Sequence, residues 1–267
     1  MSKVTLLCGD YMNWTSINSD VLSALKNYKP IDTIIFLERY GKGHINSTYR
    51  VVCFENEVES EYILQGISPV VFDNPINDYA DISEDGWYFE AVSYVVNTGI
   101  MKGYESGLFG TSDSIQRQDF LVMLARYAGV DLTDYEGTES RFSDVAADSY
   151  YEAAVNWGSE HGIVNGYDDG RFGVGDTITR EQMVTFLCRY ARYIGLDTSV
   201  DEGRADAICE QYEDIESVSE FALESVLWAV DRGVISGKTP TTIAPQGNAQ
   251  RCEVAKVILN IDQNEIF

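Results

Sequence analysis

The sequence predicts a mainly α-helical protein in which three helix-loop-helix repeats follow a small α+β segment. Residues 144–190 repeat the residues 63 positions earlier, and each copy has two apolar runs at helical spacing around a glycine-rich stretch. Residues 31–52, in contrast, alternate β-branched and aromatic residues around a glycine turn, a pattern typical of two paired strands. Residues 61–65 predict a third strand after a polar turn at residues 55–60.

The first two repeats align without a gap, and the third aligns more loosely. The identities with residues 63 positions earlier include Asp144, Tyr151, Ala154, Val155, Gly162, Ile163, Gly166, Tyr167, Gly170, Phe172, Gly173, Asp176, Ile178 and Arg180. An offset of 71 places Trp228, Gly233, Gly237 and Arg251 opposite Trp157, Gly162, Gly166 and Arg180. An internal repeat therefore fills about two thirds of the chain.

Each repeat is predicted to contain two helices. In the first repeat, helical spacing links the apolar residues of 88–95, and Gly99 ends that helix. The glycine-rich residues 99–110 cannot continue a helix. Helical spacing resumes over 120–127 and stops at Gly129.

The order of these motifs resembles the S-layer homology (SLH) module of bacterial cell-surface proteins. The motifs are Phe/Tyr-x-Asp, Trp-Tyr-x-x-Ala-Val, Gly-Ile-x-x-Gly-Tyr-x-x-Gly-x-Phe-Gly and Ile-Thr-Arg-Glu, and they cover about residues 78–262. The resemblance implies that three modules fold into a pseudo-threefold helical prism. It also implies that grooves between the repeats bind a pyruvylated secondary polymer of the Gram-positive cell wall. We therefore predict a non-enzymatic wall anchor whose partner is that polysaccharide and which needs no cofactor.

The predicted domains follow from the repeat boundaries. We place a small α+β segment at residues 1–75 and the three SLH repeats at 78–130, 141–196 and 211–262. The linkers between the repeats are polar and acidic and have no catalytic signature.

The predicted polymer-binding residues centre on one arginine per repeat. The family signature Thr-Arg-Ala-Glu keeps its arginine in all three copies and its threonine only at Thr179. A guanidinium offers a bidentate fork to the carboxylate of a pyruvyl ketal, and glycines in the loop let the backbone approach a sugar ring. The predicted polymer-binding residues are Arg117, Arg180, Arg251, Gly103, Gly166, Gly237, Asp81, Asp144, Trp87 and Thr179.

Other interpretations of these residues stay open. The alternative to polymer binding is that each arginine forms an ion pair with the opening aspartate of its own repeat, Asp81, Asp144 or Asp214. For Trp87 and Tyr150, a core position is favoured over stacking on a sugar. The third repeat lacks the Gly-Tyr-x-x-Gly-x-Phe loop, so its groove is predicted to bind the polymer most weakly.

Residues 40–75 carry a second resemblance, to the small lobe of aminoglycoside-phosphotransferase-like N-acetylhexosamine kinases. It rests on Tyr-Gly-x-Gly-His-Ile-Asn-x-Thr-Tyr, Tyr-Ile-Leu-Gln and Val-Phe-x-Asn-Pro. In such kinases the glycine-rich hairpin covers the nucleotide phosphates. The corresponding residues here are Gly41, Gly43, His44 and Asn46.

The catalytic part of that kinase family is not found in the sequence. Neither a catalytic aspartate in a His-x-Asp loop nor a metal-binding aspartate follows Pro75, because the repeats begin there. We therefore expect no catalysis, and interpret residues 1–75 as a small-lobe remnant. Two alternatives to the anchor remain: a truncated sugar-kinase relative that still binds nucleotide, and a fusion fragment without function.

Composition limits the partners. The formal net charge of −24 makes nucleic acid and anionic membranes unfavourable partners. This charge serves solubility or the binding of divalent cations, two interpretations that the sequence does not separate. No apolar run approaches the roughly 20 residues that span a bilayer.

The cysteines and histidines bear on metal sites and disulfides, and the first residues of the chain bear on its export. The five cysteines and two histidines match no metal-site or disulfide spacing, and Cys188 and Cys252 fall where buried thiols are expected. The repeats predict a location at the cell surface or cell wall. The first ten residues, however, hold an apolar run shorter than the roughly 7 residues of a secretory signal, which leaves the export route open.

Overall fold

A computed structural model describes residues 33–40, 47–55 and 58–66 as backbone, and residues 76 and 79–267 in full. The chain divides into two compact units, residues 1–71 and 72–267. The predicted nucleotide-like loop residues Gly41, Gly43, His44 and Asn46 lie outside the described residues.

The first unit contains a three-stranded antiparallel sheet. Its strands are β1 (Thr33–Tyr40), β2 (Ser47–Glu55) and β3 (Val58–Gly66), and β2 lies between the other two. The three predicted strands are confirmed. The predicted polar turn was too long, because β2 pairs with β3 as far as Glu55 opposite Val58.

The second unit is helical, which confirms the mainly α prediction. Its helices are α1 (Phe89–Asn97), α2 (Arg117–Tyr127), α3 (Glu152–Glu160), α4 (Arg180–Tyr193), α5 (Glu202–Gln211), α6 (Leu223–Asp231) and α7 (Arg251–Gln263). Each repeat contributes a short first helix and a longer second helix. The first helices end where sequence placed their glycine stops, with φ of 73°, 67° and 70° at Gly99, Gly162 and Gly233.

The repeats form a ring because each first helix packs on the second helix of the preceding repeat. Helix α3 packs on α2, α6 packs on α4, and α1 closes the ring on α7. The second helices are buried around most of their circumference, whereas the first helices bury one face. The core therefore lies among the second helices.

Three backbone hydrogen bonds mark the pseudo-threefold axis. The N–H of Ile115 donates to the carbonyl of Ala249, that of Ala249 to Ile178, and that of Ile178 to Ile115, each over 3.0 Å. All three residues are buried. The segments just before the three second helices therefore meet in a closed triangle.

The cysteine prediction is confirmed at both repeat positions. Cys188 and Cys252 are free and buried. Burial is the largest cause that raises the pKa of the Cys252 thiol, to about 11, which disfavours the reactive thiolate at neutral pH. None of the helices described here is long and apolar enough to cross a membrane.

Candidate functional site

The opening aspartate of each repeat holds the loop between that repeat's two helices. Asp144 accepts hydrogen bonds from the backbone N–H groups of Phe172, Gly173 and Val174, over 2.7 to 2.8 Å. Asp81 accepts the three equivalent bonds in the first repeat, and Asp214 accepts two of them in the third. Burial raises the pKa of Asp81 and Asp144, but these backbone bonds outweigh it and hold each pKa below its ordinary value.

The signature arginines bind the loop of the next repeat. The Nε–H of Arg117 donates to the carbonyl of Phe172 (3.0 Å), and that of Arg180 donates to Ile243 (2.9 Å). The Nε–H of Arg251 donates to Phe109 (2.8 Å), so the last repeat is joined to the first. A second guanidinium nitrogen of Arg180 donates to Ser236, and one of Arg251 donates to Lys102.

These contacts give the arginines a different setting from either sequence interpretation. Arg117, Arg180 and Arg251 are only 3%, 5% and 7% exposed. Burial lowers the pKa of Arg117 and Arg180, and carbonyl oxygens occupy donors that a ligand carboxylate would need. The alternative of an ion pair with the arginine's own aspartate is wrong, because each aspartate binds backbone N–H groups instead.

The loop glycines pack against aromatic rings of the protein itself. A Cβ atom on Gly103 would lie 2.1 Å from Tyr79, one on Gly166 would lie 2.4 Å from Phe142, and one on Gly237 would lie 2.8 Å from Tyr212. Each ring belongs to the start of the same repeat. The need for glycine at these positions therefore has a structural cause that involves no ligand.

Thr179 caps α4. Its hydroxyl accepts from the backbone N–H of Gln182, and the Gln182 side chain accepts from the N–H of Thr179 (3.2 Å), which completes a capping box. The residues equivalent to Gln182 are Asp119 in the first repeat and Glu253 in the third. This position in the first turn of each second helix carries a carboxylate in the first and third repeats and a neutral amide in the second.

One large aromatic side chain at the same position of each repeat is more than half exposed. Trp87 is 64% exposed, Tyr150 is 68% exposed and Phe221 is 56% exposed. The core position favoured for Trp87 and Tyr150 was wrong. Phe221 was missed, although the offset of 71 that aligned Trp228 with Trp157 also places it opposite Tyr150.

Each exposed aromatic lies beside the second helix of the preceding repeat. The Tyr150 hydroxyl donates to Asp119 in the first turn of α2 (2.5 Å). Ser219, two residues before Phe221, bonds to Glu181 in the first turn of α4. Trp87 lines a cavity together with Glu253 in the first turn of α7.

One groove is observed as a cavity, and grooves at the equivalent positions of the other repeats are inferred from the repeat pattern; we number each groove by the repeat whose loop lines it. Groove 3 has a volume of about 270 Å³ and is lined by Trp87, Arg180, Val234, Ile235, Ser236, Gly237, Lys238, Glu253, Lys256, Val257 and Asn260. Groove 3 thus combines an arginine of the preceding repeat, its own loop and second helix, and an aromatic residue of the next repeat. The residues at the equivalent positions define grooves 1 and 2.

Grooves 1 and 2 have a tyrosine at the loop position where groove 3 has Lys238. In groove 2 the guanidinium of Arg117 lies 4.7 Å from the ring of Tyr167, and in groove 1 that of Arg251 lies 5.0 Å from Tyr104. Lys238 stands at the equivalent position in groove 3. Burial raises the pKa of Tyr104, Arg251 lowers it, and the carboxylates of Asp113 and Asp119 raise it further.

A larger cavity of about 420 Å³ lies away from the grooves. It is lined by Arg192, Asp197, Thr198, Ser199, Val200, Ala205, Glu224 and Leu227. Arg192 already bonds to Thr198 and Glu224 there. None of the predicted site residues lines this cavity.

Comparison with known proteins agrees with the repeat pattern. The model of the S-layer homology domain matches residues 78–121, 141–184 and 211–255. It does not extend to residues 1–77, and the comparisons give no support to the kinase resemblance, which stays a prediction.

The similar proteins have several different names. An endoglucanase of Bacillus sp. (strain KSM-635) is 30% identical over 67% of this chain and 18% of its own length. A cellulosome-anchoring protein of Acetivibrio thermocellus is 29% identical over 59% of this chain and 34% of its own. A surface-layer 125 kDa protein of Lysinibacillus sphaericus is 26% identical over 79% of this chain and 17% of its own. The chain therefore spans about a third or less of these relatives.

Proposed function

Because the chain is an S-layer homology domain protein, we propose that it attaches non-covalently to the cell wall by binding a pyruvylated secondary wall polymer in its three grooves. The domains and the surface-protein relatives point to the cell surface or cell wall as its location. The proposed partner is a polysaccharide that carries carboxylates on its sugars.

The observation that carries this proposal is the exposed aromatic residue in the same place in each repeat. Trp87, Tyr150 and Phe221 are more than half exposed, although burial of such large rings favours folding. An exposed ring beside a groove offers a flat apolar surface to the C–H face of a sugar. The threefold repetition of this arrangement suits a polymer with repeated sugar units.

The arginines support binding indirectly. Their buried side chains hold each loop against the preceding repeat, so they fix the groove wall rather than fill the groove. Arg180 is also among the residues that line the cavity of groove 3. We therefore assign the arginines a positioning role in all three grooves and a direct role in groove 3.

The names of the relatives support an anchor over an enzyme. They include a cellulosome-anchoring protein, a surface-layer protein and an endoglucanase. The segment that matches this chain therefore occurs in proteins with different names and functions. The matched segment is only 18% of the endoglucanase. We therefore propose no enzymatic activity for this chain.

The aromatic residues provide a test of the proposal that separates binding from stability. We expect the triple variant Trp87→Ala, Tyr150→Ala, Phe221→Ala to bind wall sacculi about thirtyfold more weakly, because it loses a stacking surface in every groove. Its Tm should stay within about 2 °C of the parent, since exposed side chains contribute little to stability. Co-sedimentation with sacculi and thermal unfolding measure the two effects.

A matched control is Tyr193→Ala, which removes an aromatic that is 47% exposed. Tyr193 ends α4, whereas Phe221 lies beside the first turn of that helix, roughly 20 Å away along 14 residues. Wall binding by the control should be unchanged. Equal loss of binding in the control and the triple variant would contradict the assignment of the grooves.

A further inference from the structure

Groove 3 differs from the other grooves in its charge. Its lining includes three cationic side chains, Arg180, Lys238 and Lys256, and one carboxylate, Glu253. Grooves 1 and 2 have a tyrosine where groove 3 has Lys238. A cationic surplus is unusual on a protein with a formal net charge of −24, and it marks groove 3 as a place where an anion is favoured.

The cations of groove 3 are only partly neutralised. Lys238 forms an ion pair with Glu253, and Glu253 also accepts from the backbone N–H of Gln250 (3.2 Å). Among residues 76 and 79–267, no carboxylate lies within ion-pair distance of Lys256. One carboxylate therefore faces three cations.

The guanidinium of Arg180 also differs from its counterpart in groove 2. There, the NH1 nitrogen of Arg117 donates to the Gln182 side chain over 3.0 Å. In groove 3, NH1 of Arg180 lies 3.7 Å from the Glu253 carboxylate, beyond a good hydrogen bond, because Glu253 is engaged by Lys238 and Gln250. An anion in the cavity would therefore meet three cationic residues of the lining, Arg180, Lys238 and Lys256.

We propose that groove 3 is the principal ligand groove, and that Lys238 and Lys256 select a sugar unit that bears a carboxylate. The proposal rests on the proposed function and names the subsite that dominates it. Trp87 lines the same cavity. One sugar could therefore place its carboxylate near the two lysines and its apolar face against the tryptophan ring. This ranking reverses the expectation from the sequence, which judged groove 3 weakest because its loop lacks the tyrosine.

Removal of the two lysine charges tests this assignment. The probe is the soluble polymer released from Gram-positive walls, titrated calorimetrically into the full chain. We expect Lys238→Gln, Lys256→Gln to weaken binding about tenfold and to reduce its salt dependence, because two screened attractions are lost. Lys238→Arg, Lys256→Arg should keep most of the affinity, and Arg192→Gln, Arg204→Gln, which removes two half-exposed charges outside the grooves, should change little.

Chemical treatment of the polymer identifies the anion. Reduction of all carboxyl groups should remove the difference between the parent and the Lys238→Gln, Lys256→Gln variant. Mild acid, which cleaves pyruvyl ketals and leaves uronic acids, should do the same if the carboxylate belongs to a ketal, and should preserve the difference if it belongs to a uronic acid.

The outcomes separate this proposal from the function on which it rests. Binding by the parent with equal affinity in the double variant would overturn the role of groove 3 and leave the anchor standing. Equal losses in Arg192→Gln, Arg204→Gln and in the double lysine variant would also overturn it, since general electrostatics would then suffice. Absence of binding by the parent chain would overturn both proposals.

Discussion

Replacement of Arg251 by alanine is expected to lower the free energy of unfolding of the helical unit by about 4 kcal/mol. The side chain is 7% exposed and donates to the carbonyls of Phe109 and Lys102, which would be left without partners. It also lies 4.8 Å from the ring of Phe109. Because these contacts join the last repeat to the first, their loss weakens the closure of the ring. A fall in Tm of about 10 °C would record this effect.

Arg126→Ala is the control for this experiment, because Arg126 is exposed on α2. Its replacement should change the Tm by no more than about 2 °C. If Arg251→Ala kept the parental Tm and lost wall binding, the arginine would be a ligand contact, as the sequence suggested. If both Tm and binding fell, the arginine would be shown to position the groove wall.

Replacement of Gly166 by alanine is expected to be nearly as damaging, with a loss of about 4 kcal/mol. The new Cβ would lie 2.4 Å from the ring of Phe142 and 2.6 Å from the carbonyl oxygen of Arg171, and φ is +74°. The Phe142 ring is buried against Phe172, so it cannot move away freely. Chemical denaturation measures the loss.

Gly170→Ala separates steric contact from backbone strain. Gly170 also has a positive φ, of +83°, but a Cβ there would meet no atom within 4 Å. Its replacement should cost about 1 kcal/mol, the strain alone. If both replacements lowered the free energy of unfolding equally, contact with Phe142 would not be the reason for a glycine at position 166. The close approach of a sugar to the loop would then be the better explanation.

The helices could be predicted because their signals are local. Apolar residues at helical spacing and glycine stops such as Gly99 and Gly129 depend only on neighbours in the chain. The repeat offset then carried these assignments from one copy to the next. The strands could be predicted for the same reason, and their exact ends could not, because pairing between β2 and β3 continues into polar residues.

The partners of the arginines could not be predicted, because they depend on how the repeats are arranged in space. Sequence equivalence indicates that Arg117 and Arg180 have equivalent contacts. It does not indicate that each arginine binds the loop of the next repeat. The closure from Arg251 to Phe109 joins residues 142 positions apart. A repeat pattern alone does not distinguish an open array from a ring.

Exposure of the aromatic residues was misjudged because large rings are usually buried. Trp87 and Tyr150 stand just before the first helices, where the ring arrangement turns them away from the core and toward the second helix of the preceding repeat. The offset of 71 places Phe221 opposite Tyr150, so the sequence itself indicates that these aromatic residues share a role. Three aromatics at one repeat position are a stronger indication of a surface site than any of them alone.

The most direct test of the central claim is co-sedimentation of the purified chain with Gram-positive wall sacculi, before and after chemical removal of the secondary polymer. The account predicts that the chain sediments with intact sacculi and stays in solution once the polymer is removed. Equal sedimentation with both preparations would place the ligand elsewhere in the wall. No sedimentation with either would contradict the anchor function and leave the grooves without their proposed ligand.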